Sequence, residues 1–310
     1  MTLAIDLALA IGALLLAWQS LVGRSLSRGI VMYMVFGLVL AMAWARLGSP
    51  DLAMAEAAIG AGVTGALLLV AFWRLRRLHG AEPDDPTPAQ SGVAAAVALM
   101  SAVLFAIVGI SALHAIGPGG EAGRRLAEAL PATGLGNPIT GVLVIFRNLD
   151  TLLEMAVLLA AYLASRAALG DDEPVMPLPR SQDAPLVGAL VTVLAPLTVL
   201  VAVYLLKAGG QLPGGAFQGG AMLAAGGVLL VLARRLRPAP IVGPLQGAAL
   251  VAGTVVFAAV GLAMLAFGQP LLAIPGVWAV YLIETAMMVS IGVTLVLLFA
   301  GAPGVGGVRR

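Results

Sequence analysis

The chain has 310 residues, 61% hydrophobic and only 10% charged, with a mean hydropathy of +1.04. Soluble domains are about 45–50% apolar and about 25% charged, so a water-coated globule is excluded and the chain reads as an integral membrane protein. The formal net charge of +2 and pI near 9.4 are no signal for nucleic acid, because the total charge is low and the arginines flank apolar runs.

There is no cysteine, which excludes iron–sulfur clusters, thiolate zinc sites, disulfides and cysteine nucleophiles. The two histidines, His79 and His114, lie in a polar loop and at a helix end. They cannot make a bis-histidine haem inside the membrane, and no cofactor is expected.

A bilayer crossing takes about 20 apolar residues. Runs of that kind occupy 3–22, 29–47, 52–73, 93–113, 138–164, 185–206, 214–233, 244–267 and 276–300. They lack period-two alternation, so they read as helices. The expected fold is all-α, a polytopic membrane helical bundle of about nine transmembrane helices without a soluble domain. No Lys or Arg precedes the first run, and Asp6 lies near its start, so it reads as a retained helix rather than a cleaved signal.

Polar, proline-rich stretches at 74–91 and 170–183 read as irregular linkers. They divide the chain into 1–80 with three helices, 92–168 with two and 184–304 with four. Between the fourth and fifth helices, 119–132 carries Glu121, Arg124, Arg125 and Glu128 and reads as a short amphipathic surface helix. Asn137-Pro138 reads as an N-cap followed by proline at the first helical position. On alternate sides of the spans, twelve arginines oppose Arg46, Arg124, Arg125 and Lys207. That bias places the N-terminus outside and the C-terminus in the cytoplasm.

Ionisable residues inside spans are functional candidates by default. Here they are Glu56, Arg147, Asp150, Glu154 and Glu284. Arg147, Asp150 and Glu154 are spaced three and four apart, which puts them on one helix face. Arg147 and Asp150 can pair, and two carboxylates so close in a low dielectric do not both ionise easily. Glu56 stands beside a small-residue stripe, Ala57, Ala61 and Gly65, that favours close helix packing. Nothing on its own helix neutralises Glu284. Counted inward at ~1.5 Å per residue, the acids are staggered in depth, which predicts a shared hydrated cavity or facing charges on a partner. The competing reading is a set of structural ion pairs.

The segment from Lys207 to Gly220 is dense in glycine but lacks the arrangement of a phosphate loop. Lys207 can complement the dipole of the helix it ends. The glycines can serve close packing of the next helix.

Three stretches resemble components of the Mrp-type cation/proton antiporters and of the related membrane arms of energy-converting hydrogenases. Gly209-Gly210-Gln211-Leu212-Pro213-Gly214-Gly215-Ala216-Phe217-Gln218-Gly219-Gly220 resembles the signature of the antiporters' B component, with Gly210 where the family has His and Ala216 where it has Gly. The run from Leu47 to Ala57 (LGSPDLAMAEA) is similar to a stretch of the hydrogenase-type D component. The run from Val144 to Glu154 (VIFRNLDTLLE) resembles one of the adjoining E component. Arg147, Asp150 and Glu154 match there, while Ile145 stands where the family has Asp.

The resemblance implies a fused accessory subunit of a complex that exchanges Na⁺ for H⁺, assembled with other membrane subunits in the lipid bilayer. With their place in or beside the spans, Glu56, Arg147, Asp150, Glu154, Glu284 and Lys207 are expected along an ion or proton pathway. The motif loop is Gly209, Pro213, Gly214, Gly215, Phe217, Gly219 and Gly220. A redox-driven membrane arm and a structural spacer remain as alternatives. The orientation has a direct check: a tag after Arg310 should react with an impermeant probe only in opened cells, and labelling of intact cells would reverse the assignment.

Overall fold

A computed structural model describes residues 2–22, 25–79, 88–115, 121–169, 185–239, 241–301 and 304–307. The expected linker 170–183, residues 80–87 of the other linker, and Arg24, Arg180, Arg309 and Arg310 lie outside them.

The first helix, α1 (Thr2–Val22), pairs with α2 (Leu26–Arg46). Ser25 starts α2, its hydroxyl accepting the Arg28 N–H. Arg46 at the end of α2 reaches Asp6 near the start of α1 at 2.8 Å. The next rod is α3 (Pro50–Ala55), a π-helical segment Glu56–Val63 and α4 (Thr64–His79). Gly37 of α2 notches against it, since a Cβ there would lie 3.2 Å from the Ala61 Cα. The expected stripe does therefore serve close packing.

The first linker is shorter than its composition predicts. Helix runs on to His79 and restarts at Pro88 in α5 (Pro88–Ala115). From Val97 to Ile110, α5 exposes large apolar side chains around its circumference, Phe105 at 82%.

The amphipathic segment forms α6 (Glu121–Ala129), with the Arg124–Glu128 pair at 3.7 Å and an Arg125–Glu121 pair. A 3-10 turn, Leu130–Thr133, leads to α7 (Pro138–Thr140), capped by Asn137 as expected. A π-helical segment Gly141–Phe146 follows, and the backbone breaks at Arg147 (φ −126°, ψ 38°) before α8 (Asn148–Leu169). The fifth span is thus not one continuous helix. Instead, 123–133 and 138–146 form a bent pair at 95°, and α8 is the span proper. The cause is local: i→i+5 hydrogen bonds accommodate an extra residue, and the ladder cannot continue through a non-helical Arg147.

The remaining helices are α9 (Pro185–Ala208), α10 (Ala216–Leu232), α11 (Pro244–Ala266) and α12 (Val277–Ala300). Two short strands, β1 (Leu236–Ala239) and β2 (Gly304–Gly307), pair antiparallel, with Leu236 opposite Gly307 and Ala239 opposite Gly304. No strand pattern in the chain announces this ladder.

Among the described residues, seven helices are long and apolar enough to cross a membrane, and the bent pair would make an eighth. Eight of the nine expected runs appear as continuous helical rods, and the fifth is broken at Arg147. Of the two runs not counted, Ala216–Leu232 in α10 is short, and in α5 the stretch assessed is Ala95–Ser111 within a helix of 28 residues.

The bundle is organised around α12. It is 67% buried across its spanning window, against at most 22% for any other span. A helix apolar on every side suits such a central place. In lipid there is no hydrophobic drive between helices, so close contact of small residues and interhelical hydrogen bonds must hold them. Both are present. Gly219 and Gly220 of α10 face Met288 and Ile291, Gly253 of α11 faces Met287, and Ser290 donates to the Leu250 carbonyl at 2.6 Å. A Cβ on Gly220 would lie 2.7 Å from the Ile291 Cβ. Gly220→Leu should therefore cost about 1–3 kcal/mol by overpacking, read as a lower midpoint in a detergent unfolding titration.

Candidate functional site

Three separate stretches meet at Asp51. It occupies the first turn of α3, after Pro50, and is only 6% exposed. Its Oδ1 accepts the Asn137 Nδ2 at 3.2 Å and the Gly214 N–H at 3.0 Å. Its backbone carbonyl accepts Gln218 Nε2 at 3.3 Å. Asn137 is used at both ends: its Oδ1 caps α7 through the Ile139 N–H at 2.9 Å, and its Nδ2 also donates to the Leu212 carbonyl at 3.0 Å. The Gly136 N–H and Thr140 hydroxyl donate to the carbonyls of Gly210 and Gly209 at 2.9 and 2.6 Å.

The glycine loop is built by close approach. Leu205 O accepts both the Gly209 and Gly215 N–H groups, at 3.0 and 2.9 Å, which folds the loop back on the end of α9. A side chain at Gly209 would collide with the backbone of Gly215. Gly215 has φ +121°, a conformation that favours glycine, and it is the N-cap of α10 without a side chain to cap it. The Glu284 carboxylate of α12 lies beside this helix end, its Oε1 3.2 Å from where a Cβ on Gly215 would stand. A carboxylate is favoured at the positive end of a helix. Glu284 is 3% exposed, and its Oε2 has no hydrogen-bond partner among the described residues.

A cavity of about 320 Å³ lies at this junction. Asp51 lines it from α3, Thr151 and Glu154 from α8, Gly215 and Gln218 from the loop and α10, and Glu284 from α12. No Arg, Lys or His is among the lining residues.

The expected site residues therefore divide. Glu154 and Glu284 share the cavity with Gly214, Gly215 and Phe217. Gly219 and Gly220 serve helix packing instead. Arg147 and Asp150 pair at 2.5 Å as the spacing predicts, but their side chains are 69% and 47% exposed on the outer side of the break. Lys207 lies over the Tyr281 ring at 4.8 Å. Glu56 is not part of the cavity wall, and facing charges on a partner, the other arm of the expectation, stay open for it. Ala55 and Ile59 line the cavity from that rod, and one residue along a helix turns Glu56 about 100° away; its carboxylate lies over Gly60. In the sequence, Asp51 stands only within the LGSPDLAMAEA stretch, Asn137 reads as a helix start, and Thr151 and Gln218 carry no role. An acid at the edge of an apolar run was the available signal for Asp51.

Residues 11–77 match the family model MbhD, which describes the D component of MBH. Residues 186–301 match that of a domain related to the MnhB subunit of Na⁺/H⁺ antiporters. The chain joins an MbhD region to an MnhB region. Each region is similar to a component of a multi-subunit membrane complex. No curated protein matches it in sequence. In the Mrp complex from Dietzia sp. DQ12-45-1b, one chain superposes with a TM-score of 0.74 at 22% identity, covering 96% of this chain. The present chain spans 34% of that chain's length. The membrane-bound sulfane sulfur reductase, an archaeal respiratory membrane complex, aligns with a TM-score of 0.49 at 23% identity, over 67% of this chain and 97% of that one. The first likeness shows the fold.

Within the MnhB region, the departure at Gly210 has a steric counterpart. A Cβ there would lie 2.5 Å from the Tyr281 hydroxyl, which donates to the Lys207 carbonyl at 3.2 Å. Tyr281 fills the room a side chain at 210 would need.

The Asp51 node carries a stability prediction. Asp51→Ala leaves the Gly214 N–H without its acceptor and should cost about 1–3 kcal/mol. Hydrogen exchange should show faster amide exchange at Gly214, with the α11 amides unchanged.

Proposed function

We propose that the chain is a membrane subunit of a multi-subunit Mrp-type cation/proton antiporter, lining part of the ion path and joining larger subunits. It acts as a transporter subunit rather than an enzyme, in the cell membrane, with Na⁺ and H⁺ as the exchanged ions. One observation carries the reading: Asp51, Glu154 and Glu284, from three separate helices, line one cavity that has no basic residue in its wall. Conduction needs several binding groups within reach of one another in a protected path. Carboxylates with Thr140, Thr151 and Gln218 supply oxygen ligands and anchor points for water.

The Arg147–Asp150 pair supports partner subunits. Charges in a span cost about 2.5–3.5 kcal/mol each on insertion scales when left to lipid, so an exposed pair favours a protein neighbour along α8. The MnhB description supports Na⁺/H⁺ exchange. The MbhD description favours a second reading, a membrane arm of an energy-converting hydrogenase, in which a redox arm drives the same helices.

Gentle purification from the native membrane separates the two, since co-purifying iron–sulfur proteins would favour the hydrogenase arm. In vesicles carrying the assembled complex, Glu154→Gln should lower Na⁺-dependent proton exchange at least about tenfold, a barrier change near 1.4 kcal/mol, with the partner chains still co-purifying. Full exchange would reduce the chain to a structural spacer.

A further inference from the structure

Most polar groups around the cavity have partners. Asp51 Oδ1 takes two N–H donors, and the Thr140 and Thr151 hydroxyls donate to the carbonyls of Gly209 and Leu143. Gln218 donates its Nε2 to the Asp51 carbonyl, which turns its Oε1 away from that bond. Among the buried ones, Glu284 is the exception. Its Oε2 is buried without a partner among the described residues. A buried carboxylate with unmet acceptor capacity is costly.

The space beside it has a defined shape. A Cβ on Gly215 would lie 3.2 Å from Glu284 Oε1 and 3.6 Å from Gln218 Oε1. The glycine leaves open a gap bordered by Gln218 Oε1 and by Glu284 Oε1, the other oxygen of the carboxylate whose Oε2 lacks a partner. Neither oxygen of an ionised Glu284 nor the Gln218 carbonyl oxygen can donate to the other. The gap suits a species that bonds both.

We infer that Glu284 and Gln218, at the gap left by Gly215, form a binding site for one monovalent metal cation. The inference rests on the ion-path reading of the same cavity and adds a ligand set to it. The sign follows from the wall, which holds three carboxylates and no basic residue. The single charge follows from the donor count. Hard divalent ions draw on several carboxylates or many oxygens, whereas among the described residues no three His, Cys, Asp or Glu side chains group closely enough to hold a metal ion. One carboxylate and a neutral carbonyl balance one positive charge. Waters anchored on the threonine hydroxyls complete the shell.

The test is direct binding of ²²Na⁺ to the purified full-length chain in detergent, by scintillation proximity at one fixed pH. Wild-type protein should bind Na⁺, displaced by unlabelled Na⁺ or Li⁺ and not by choline. Glu284→Gln should abolish the signal while eluting as a single species of unchanged helicity. Gln218→Leu should weaken binding about tenfold, the loss of one hydrogen-bond-sized contact to an ion. Absence of Na⁺-specific binding in the wild type, or binding retained in Glu284→Gln, overturns the site. If Glu284→Gln does not fold, unchanged affinity in Gln218→Leu overturns it. Because the assay needs no partner and no transport, its outcome is separate from that of the vesicle experiment: a complex that exchanges no Na⁺ leaves this binding to stand or fall alone.

Discussion

The structure depends on how one buried carboxylate is satisfied. Asp51 sits where water is scarce, and a carboxylate there is tolerable only with donors aimed at it. Those donors come from far along the chain: Asn137 is 86 residues away and Gly214 is 163 away. The requirement of a single side chain therefore fixes the start of α3, the entry to α7 and the glycine loop relative to one another. Each supplies part of the wall of the same cavity. Moving any of the three would expose an unmet charge or an unmet amide, which is a stronger constraint than apolar contact in a lipid solvent.

Around that node the packing is made by omission. Small residues let α10 and α11 come against α12, and Gly209 and Gly215 let the loop double back on α9. The same economy leaves Glu284 inside the bundle. On the buried face of this central helix an acid cannot turn toward lipid, so it has to meet the end of another helix or a cavity. Here it meets both.

Much of this was legible in the sequence. Run lengths and composition revealed the helices, because the bilayer imposes a length on apolar segments. The Arg147–Asp150 spacing revealed their pairing, and Asn137-Pro138 revealed the cap, since both are local. What escaped was non-local. The π-helical segments are set by tertiary fit and leave no simple mark in the apolar pattern, so the fifth span read as one rod. Asn137 had a sufficient local explanation at a helix start and Asp51 stood only within its motif stretch, and their partnership is visible only when residues distant in sequence are brought together. Gln218 is similarly silent, because an amide in a glycine-rich stretch carries no periodicity.

The small β1–β2 ladder has a consequence in time. Residues 236–239 follow α10, while their partners 304–307 follow α12, so the ladder closes a loop containing two whole membrane helices. It cannot form while α12 is still being threaded into the bilayer. During synthesis, α10 and α11 can insert and begin to pack, but their connection stays unlatched until residue 307 has been made. Gln246 at the start of α11 donates to the Val305 carbonyl and accepts its N–H, so the late arrival fastens α11 as well. The closing entropy of a loop this long grows only slowly with its length, and by then the helices have already brought the two strands near. The ladder thus works as a latch that distinguishes a finished four-helix unit from one still in assembly.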